Sequence, residues 1–325
     1  MAKTTGIYSV EADIKLFKQG IATNTQPTYD GKSFDKAMDV IFKQMKVSGY
    51  RDRTITDYSY YMEKLRKFAD LQYLEDITAD TIYNWLDSMT VSNQSKLIRL
   101  KSVEAVLGKC FNNGWYSSKF WQDINVKVDK KVKKGTKPDD INILLSLLNL
   151  NTFVGLRDAV AVLVLYRTGV RINTLAKLQE KHLDLDNKLL SIEGAILKNH
   201  KLLKLPLDDE LIHLLKILIA HNNKIRKYFG QNNSYLFINN KGQSLDTKST
   251  NNAISKQLNK YAKKYGLDNI NPHAMRRGYA KNLLEKGAND ALISKALGHA
   301  NLEVTTQYLD LDVDEVAGNL RGFLS

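Results

Sequence analysis

A run of lysines constrains the fold of this chain more than any other feature. Across residues 127–137 stand Lys127, Lys130, Lys131, Lys133, Lys134 and Lys137, opposed only by Asp129. Like charges at this density repel one another and cannot be packed into an apolar core, so the run reads as an extended linker. Apolar residues recur at helical spacing on both sides of it. The chain therefore folds as two blocks, and 325 residues are enough for two cores. The run is either a plain flexible linker or a strap laid along a phosphate backbone, and its place between two folded blocks favours the strap.

The upstream block is helical. Phe34, Ala37, Met38, Ile41, Phe42 and Met45 lie three and four apart and define one buried face, with Gly49 ending the helix. A second helix from about Thr54 turns Ile55, Tyr58, Met62, Leu65 and Phe68 inward. Thr78 reads as the N-cap of a third, carrying Ile82, Trp85, Leu86 and Met89. A fourth runs from near Ser92 to Asn112-Asn113-Gly114. Its Lys96, Arg99 and Lys101 stand beside apolar Leu97, Leu100, Val103 and Leu107, and fit a solvated face and a DNA face equally. The domains read as an arm over 1–32, a small all-α domain over 33–125, the linker over 126–137, and a second domain over 138–325.

The second domain opens on Pro138-Asp139-Asp140, a good helix start, with helices expected over 141–148 and 156–168. Residues 189–192 and 202–207 read as a hairpin around a turn at Asn199-His200, and 235–238 as a further short strand. Helices follow over 247–265, 272–286 and 290–297. The fold class is thus mainly α with a small β-sheet in the second domain.

Charge narrows the partners. Forty-eight Lys and Arg against 35 Asp and Glu give a formal charge of +13, which points to a polyanion and first of all to nucleic acid. Cys110 is the only cysteine, which excludes an internal disulfide and a Cys-based zinc cluster and reads as a buried thiol. The first twenty residues carry no signal-peptide pattern and no stretch reaches bilayer length, so no membrane partner and a cytoplasmic location, at the nucleoid when DNA is bound, are expected. There is no GxxxxGK[ST] loop, no HExxH pair and no GxSxG elbow. A phosphotransfer enzyme without these must stabilise an anionic phosphorane with its own Arg and His donors.

Four segments supply such donors. Thr168-Gly169-Val170-Arg171-Ile172-Asn173-Thr174-Leu175 resembles the first arginine box of the tyrosine recombinases, usually TGxRxxEL. The segment from Lys198 to Leu207, closing on Pro206-Leu207, is similar to their hairpin lysine segment. His273-Ala274-Met275-Arg276 resembles their HxxR box, and Leu297-Gly298-His299 followed nine residues later by Tyr308 resembles their LGH box and nucleophile. The resemblance is carried by all four in this order, and the block from Ser33 to Trp121 resembles the family's helical (SAM-like) core-binding domain.

The resemblance implies Arg171, Lys198, His273, Arg276, His299 and Tyr308 as catalytic residues. Chemically, Arg171 and Arg276 can each fork two N–H bonds onto non-bridging phosphate oxygens. A phenol of pKa about 10 needs help to attack at neutral pH. The resemblance implies that His273 accepts the tyrosine proton, that Lys198 protonates the departing 5′-oxygen, and that His299 hydrogen-bonds the phosphate. It implies a 3′-phosphotyrosine and a free 5′-hydroxyl, with no cofactor and no metal. The implied partner is double-stranded DNA with specific recombination sites, bound by a homotetramer in the synapse and by a chain that is monomeric when free, with an accessory DNA-bending protein left open. Lys96, Arg99, Lys101, Lys130, Lys131, Lys133 and Lys134 are the DNA-binding candidates. Val313, Val316, Leu320 and Phe323 read as a tail helix that either folds back or docks on a neighbouring protomer. Two departures stand out: Thr174 replaces the common Glu, and Gly278 stands where Ser or Thr is usual. The rival readings are a type IB topoisomerase and a DNA-binding regulator without catalysis.

Overall fold

The computed structural model describes residues 31–129, 133–197, 201–245 and 253–298. The chain divides into two compact units between Lys130 and Lys131. In the first, four helices pack around one core: α1 (Phe34–Val47), α2 (Asp52–Ala69), α3 (Ala79–Asp87) and α4 (Asn93–Asn112). Phe34, Ile41, Met45, Leu65, Ile82, Leu100 and Val103 are buried there, as is Cys110, whose thiol is pushed up to about 12 by desolvation. Thr78 caps α3 by accepting from Thr81 N at 3.2 Å, and Ser92 caps α4 by accepting from Ser95 N at 3.4 Å. Phe68 is not inward: it is 45% exposed, because α2 ends at Ala69 and Leu71, beyond the left-handed Asp70, turns in instead.

The second unit is built on α6 (Phe153–Thr168), twelve of whose sixteen residues are buried. Around it lie α5 (Pro138–Leu147), the short α7 (Ile172–Lys177), α8 (Asp209–Tyr228), α9 (Ala253–Tyr265), α10 (Pro272–Glu285) and α11 (Asp290–Leu297). A three-stranded antiparallel sheet, β1 (Leu183–Asp184), β2 (Leu189–Ile192) and β3 (Leu203–Pro206), has the order β1-β2-β3. The fold is mainly helical with a small sheet, as the sequence predicts. No helix among the described residues is long and apolar enough to cross a membrane.

Three local expectations are corrected. The pairing of β2 with β3 stops at Ile192↔Leu203, a 3₁₀ turn at Gly194–Ile196 follows β2, and the turn expected at Asn199-His200 lies outside the described residues. Leu197 returns to the core while Leu202 is 62% exposed, which shortens the second strand. Residues 235–238 form only isolated bridges, Gln179↔Tyr235 and Ile238↔Ser244. Leu236, Phe237 and Ile238 are all completely buried, so this apolar run is a core-crossing segment without the alternation of a strand. Helix α8 has no counterpart in the sequence reading. Its inward face begins with Leu211, Leu215 and Leu218 but continues as Asn222 and Arg226, and those polar positions break the apolar period. Arg226 is held by Glu180 at 2.6 Å and by the Tyr235 carbonyl. The helix expected from 247 is described from Ala253, and the expected tail helix lies outside the described residues.

Candidate active site

The carboxyl end of α6 sets the first wall of the site. Gly169 adopts φ +63 there, and a Cβ on it would lie 2.3 Å from the Tyr279 ring, so only glycine allows both the turn and the packing. The chain then turns through Val170 to Arg171, the half-buried residue that precedes α7. Thr174, where the family usually carries Glu, is buried in α7, a place that suits a neutral side chain better than a carboxylate.

The second wall is the start of α10. Asn271 caps it by accepting from Ala274 N at 2.9 Å, and Pro272 occupies its first turn. His273 is exposed at the rim, whereas Arg276, three residues on, is 2% exposed. The Arg276 guanidinium donates Nη1 to the Gly169 carbonyl and Nη2 to the Leu297 carbonyl. One side chain thereby ties the segment leading into Arg171 to the end of α11, where Gly298 takes φ +60. The imidazole of His273 is held below its ordinary pKa, first by desolvation and then by the positive charges of Arg277, Arg276, Arg171 and Lys133. It is therefore neutral at neutral pH and able to accept a proton. Four cations and a helix amino terminus at one place form a receptor for an anion.

The structure thus brings Arg171, His273 and Arg276 together, with Gly298 beside them; Lys198, His299 and Tyr308 lie outside the described residues. Of the DNA-binding candidates, Lys130 and Lys131 also lie outside. Lys133 and Lys134 are exposed. Lys96 and Arg99 are half-buried on α4, and Lys101 is paired with Glu104 at 2.6 Å, which partly answers its charge. Two features escape the sequence reading. Arg277 stands beside Arg276 without belonging to any motif. On α9, Lys256, Lys260, Lys263 and Lys264 line a shallow cavity of ≈ 520 Å³ with Asn259, a basic face that the spacing of four, three and one residues could have signalled.

Gly278 has a local cause. The Thr136 N–H donates to the Ala274 carbonyl at 3.0 Å, bringing the end of the lysine segment onto α10, and a Cβ on Gly278 would lie 2.4 Å from the Thr136 carbonyl oxygen. Gly278→Ser, the residue type usual in the family, is expected to destabilise this chain by about 1–3 kcal/mol through overpacking. Chemical denaturation of the variant measures it, and unchanged stability would mean that the segment yields at no cost.

Comparison with known proteins shows the family. The sequence profile of the phage integrase family matches residues 135–315, more than half of the chain and a span holding all six candidate catalytic positions. The chain belongs to the phage integrase family and is a tyrosine site-specific recombinase. It is 28% identical over 264 residues to tyrosine recombinase XerA of Pyrococcus horikoshii, covering 81% of this chain and 85% of that protein. Tyrosine recombinase XerC of Thermodesulfovibrio yellowstonii is 26% identical over 272 residues, covering 82% and 88%. Among solved structures, the Tn1549 transposon integrase in complex with transposon right end DNA has a similar fold, with TM-score 0.70, 17% identity, and coverage of 89% of this chain and 99% of that one. XerH bound to palindromic difH substrate gives TM-score 0.67 at 20% identity, covering 89% and 84%.

Proposed function

We propose that this chain cleaves and rejoins duplex DNA at specific sites through a 3′-phosphotyrosine on Tyr308. The convergence of Arg171, His273 and Arg276, with Arg276 bonded to carbonyls just before Arg171 and just before Gly298, supports this reading most. The segment that leads to His299 and Tyr308 starts from that junction.

In this mechanism the Tyr308 phenolic oxygen attacks the scissile phosphorus while the bond to the 5′-oxygen breaks. The phenolic proton passes to neutral His273, and Lys198 gives a proton to the departing 5′-oxygen. Arg171, Arg276 and His299 donate to the non-bridging oxygens as charge builds on them. A 5′-hydroxyl from the partner strand then attacks the phosphotyrosine and restores a phosphodiester. One phosphoester is exchanged for another at each step, so ATP is not required. The first unit acts as the core-binding domain, and four copies, monomeric when free, synapse two sites. The relatives solved on DNA support the choice of duplex DNA as substrate.

A plasmid carrying two copies of a candidate recombination site, sought as an inverted repeat beside the gene, tests this reading. The expected outcome is deletion or inversion between the two copies. Relaxation of supercoils with no exchange would favour the topoisomerase alternative.

The lysine segment gives a second expectation. Replacing Lys130, Lys131, Lys133 and Lys134 with Gln should weaken specific and nonspecific DNA binding alike. It should also flatten the log–log salt dependence by about 0.9 for each phosphate that the segment no longer neutralises. Affinities measured across a salt series decide it; an unchanged slope would mean that these lysines do not touch phosphate.

A further inference from the structure

The end of the lysine segment is fastened to α10 by three consecutive residues. Arg277 donates both Nε and Nη2 to the Lys134 carbonyl, at 3.1 and 3.0 Å. Gly135 lies so close to the helix that a Cβ there would stand 2.7 Å from the Gly278 backbone nitrogen. Thr136 is 2% exposed, donates its N–H to the Ala274 carbonyl at 3.0 Å, and donates its hydroxyl to the Asn269 carbonyl at 2.6 Å. A solvated linker has no reason for such a seam. The chain runs along α10 from the level of Arg277 to the level of Ala274, beside His273.

We propose that Arg277 is a positioning residue: by gripping the Lys134 carbonyl it fixes the end of the lysine segment on α10 and so sets Lys133 among the charges that face His273. A guanidinium suits the task because its planar fork gives two bonds to one carbonyl and thereby a direction, which an ammonium lacks. Arg277 lies four residues after His273, on the same helical face. The charged groups that face the imidazole are Arg276 and Arg277 from α10, Arg171 from the turn before α7, and Lys133 from the lysine segment, and each depresses its protonation. The lysine segment is thus part of the catalytic electrostatics as well as a connection. This inference rests on the reading of His273 as the base, and its test is separable from that reading.

The test is a proton NMR titration of His273 in the full chain without DNA, the resonance being assigned by its loss in His273→Gln. Lys133→Gln removes a facing cation, so the imidazolium becomes less unfavourable and the midpoint should rise. Arg277→Lys keeps the charge and loses the fork, so its midpoint should rise as well. In the double variant the rise should fall short of the sum, because one substitution acts through the other. An unmoved midpoint in Arg277→Lys, or two rises that add, would overturn the positioning role. The pH profile of DNA cleavage addresses the base separately. If the acidic limb follows the NMR midpoint upward in both variants, His273 is its source. If the midpoint moves and the limb does not, the base assignment fails while the clasp stands.

Discussion

Tyr308→Phe is expected to bind target DNA as tightly as the wild type and to form no covalent complex with it. The substitution removes one oxygen atom and leaves the ring, so the fold and the DNA contacts should persist. The proposed attacking oxygen is gone. A duplex carrying a candidate recombination site, nicked just downstream of the scissile phosphate, lets the short fragment bearing the new 5′-hydroxyl diffuse away and traps the adduct, which denaturing electrophoresis resolves. The wild type should show a slow-migrating band and the variant none. An adduct of wild-type yield in the variant would remove Tyr308 from the mechanism.

The second large effect separates two arginines that the motifs treat alike. Arg171→Ala and Arg276→Ala should each lower single-turnover cleavage by roughly 100- to 1000-fold, the scale of losing one donor to a developing oxyanion. Their stabilities should differ. Arg171 is half-buried at a turn, whereas Arg276 is enclosed and bonded to the carbonyls of Gly169 and Leu297. Hydrogen bonds made by a charged group contribute about 1.5–3 kcal/mol each. Arg276→Ala should therefore also lower the melting temperature, by several degrees for a protein of this size. Arg171→Ala, at a less enclosed position, should lower it less. Calorimetry beside the cleavage assay checks both. Equal melting temperatures would mean that the Arg276 bonds to the two walls contribute little to the fold.

Most of the helices are legible in the sequence because their apolar faces are continuous. The α1 pattern from Phe34 to Met45 is of this kind. Helix α8 is opaque because its inward face ends in Asn222 and Arg226, buried because the Leu236 and Tyr235 carbonyls and Glu180 receive them. Such partners are distant in sequence and leave no periodic mark. The apolar run at 235–238 misleads for the opposite reason: complete burial looks the same in a strand and in a segment that merely crosses a core. At the site, the motifs point to Arg171, His273 and Arg276 because their chemistry and spacing are local. Arg277 stays hidden because its role depends on the Lys134 carbonyl, 143 residues away in the chain. The glycine at 278 looks like a loss of a hydroxyl in the sequence, and only the approach of Thr136 reveals why no side chain fits.

Mass spectrometry of the wild-type adduct would reveal whether Tyr308 becomes joined to a 3′-phosphate of DNA. Protease and nuclease digestion of the complex trapped on the nicked duplex leaves a peptide carrying a short nucleotide remnant. The proposed cleavage requires this remnant on Tyr308 through a 3′-phosphodiester and a 5′-hydroxyl on the released strand. A remnant on another residue, or a linkage through the 5′-phosphate, would contradict it.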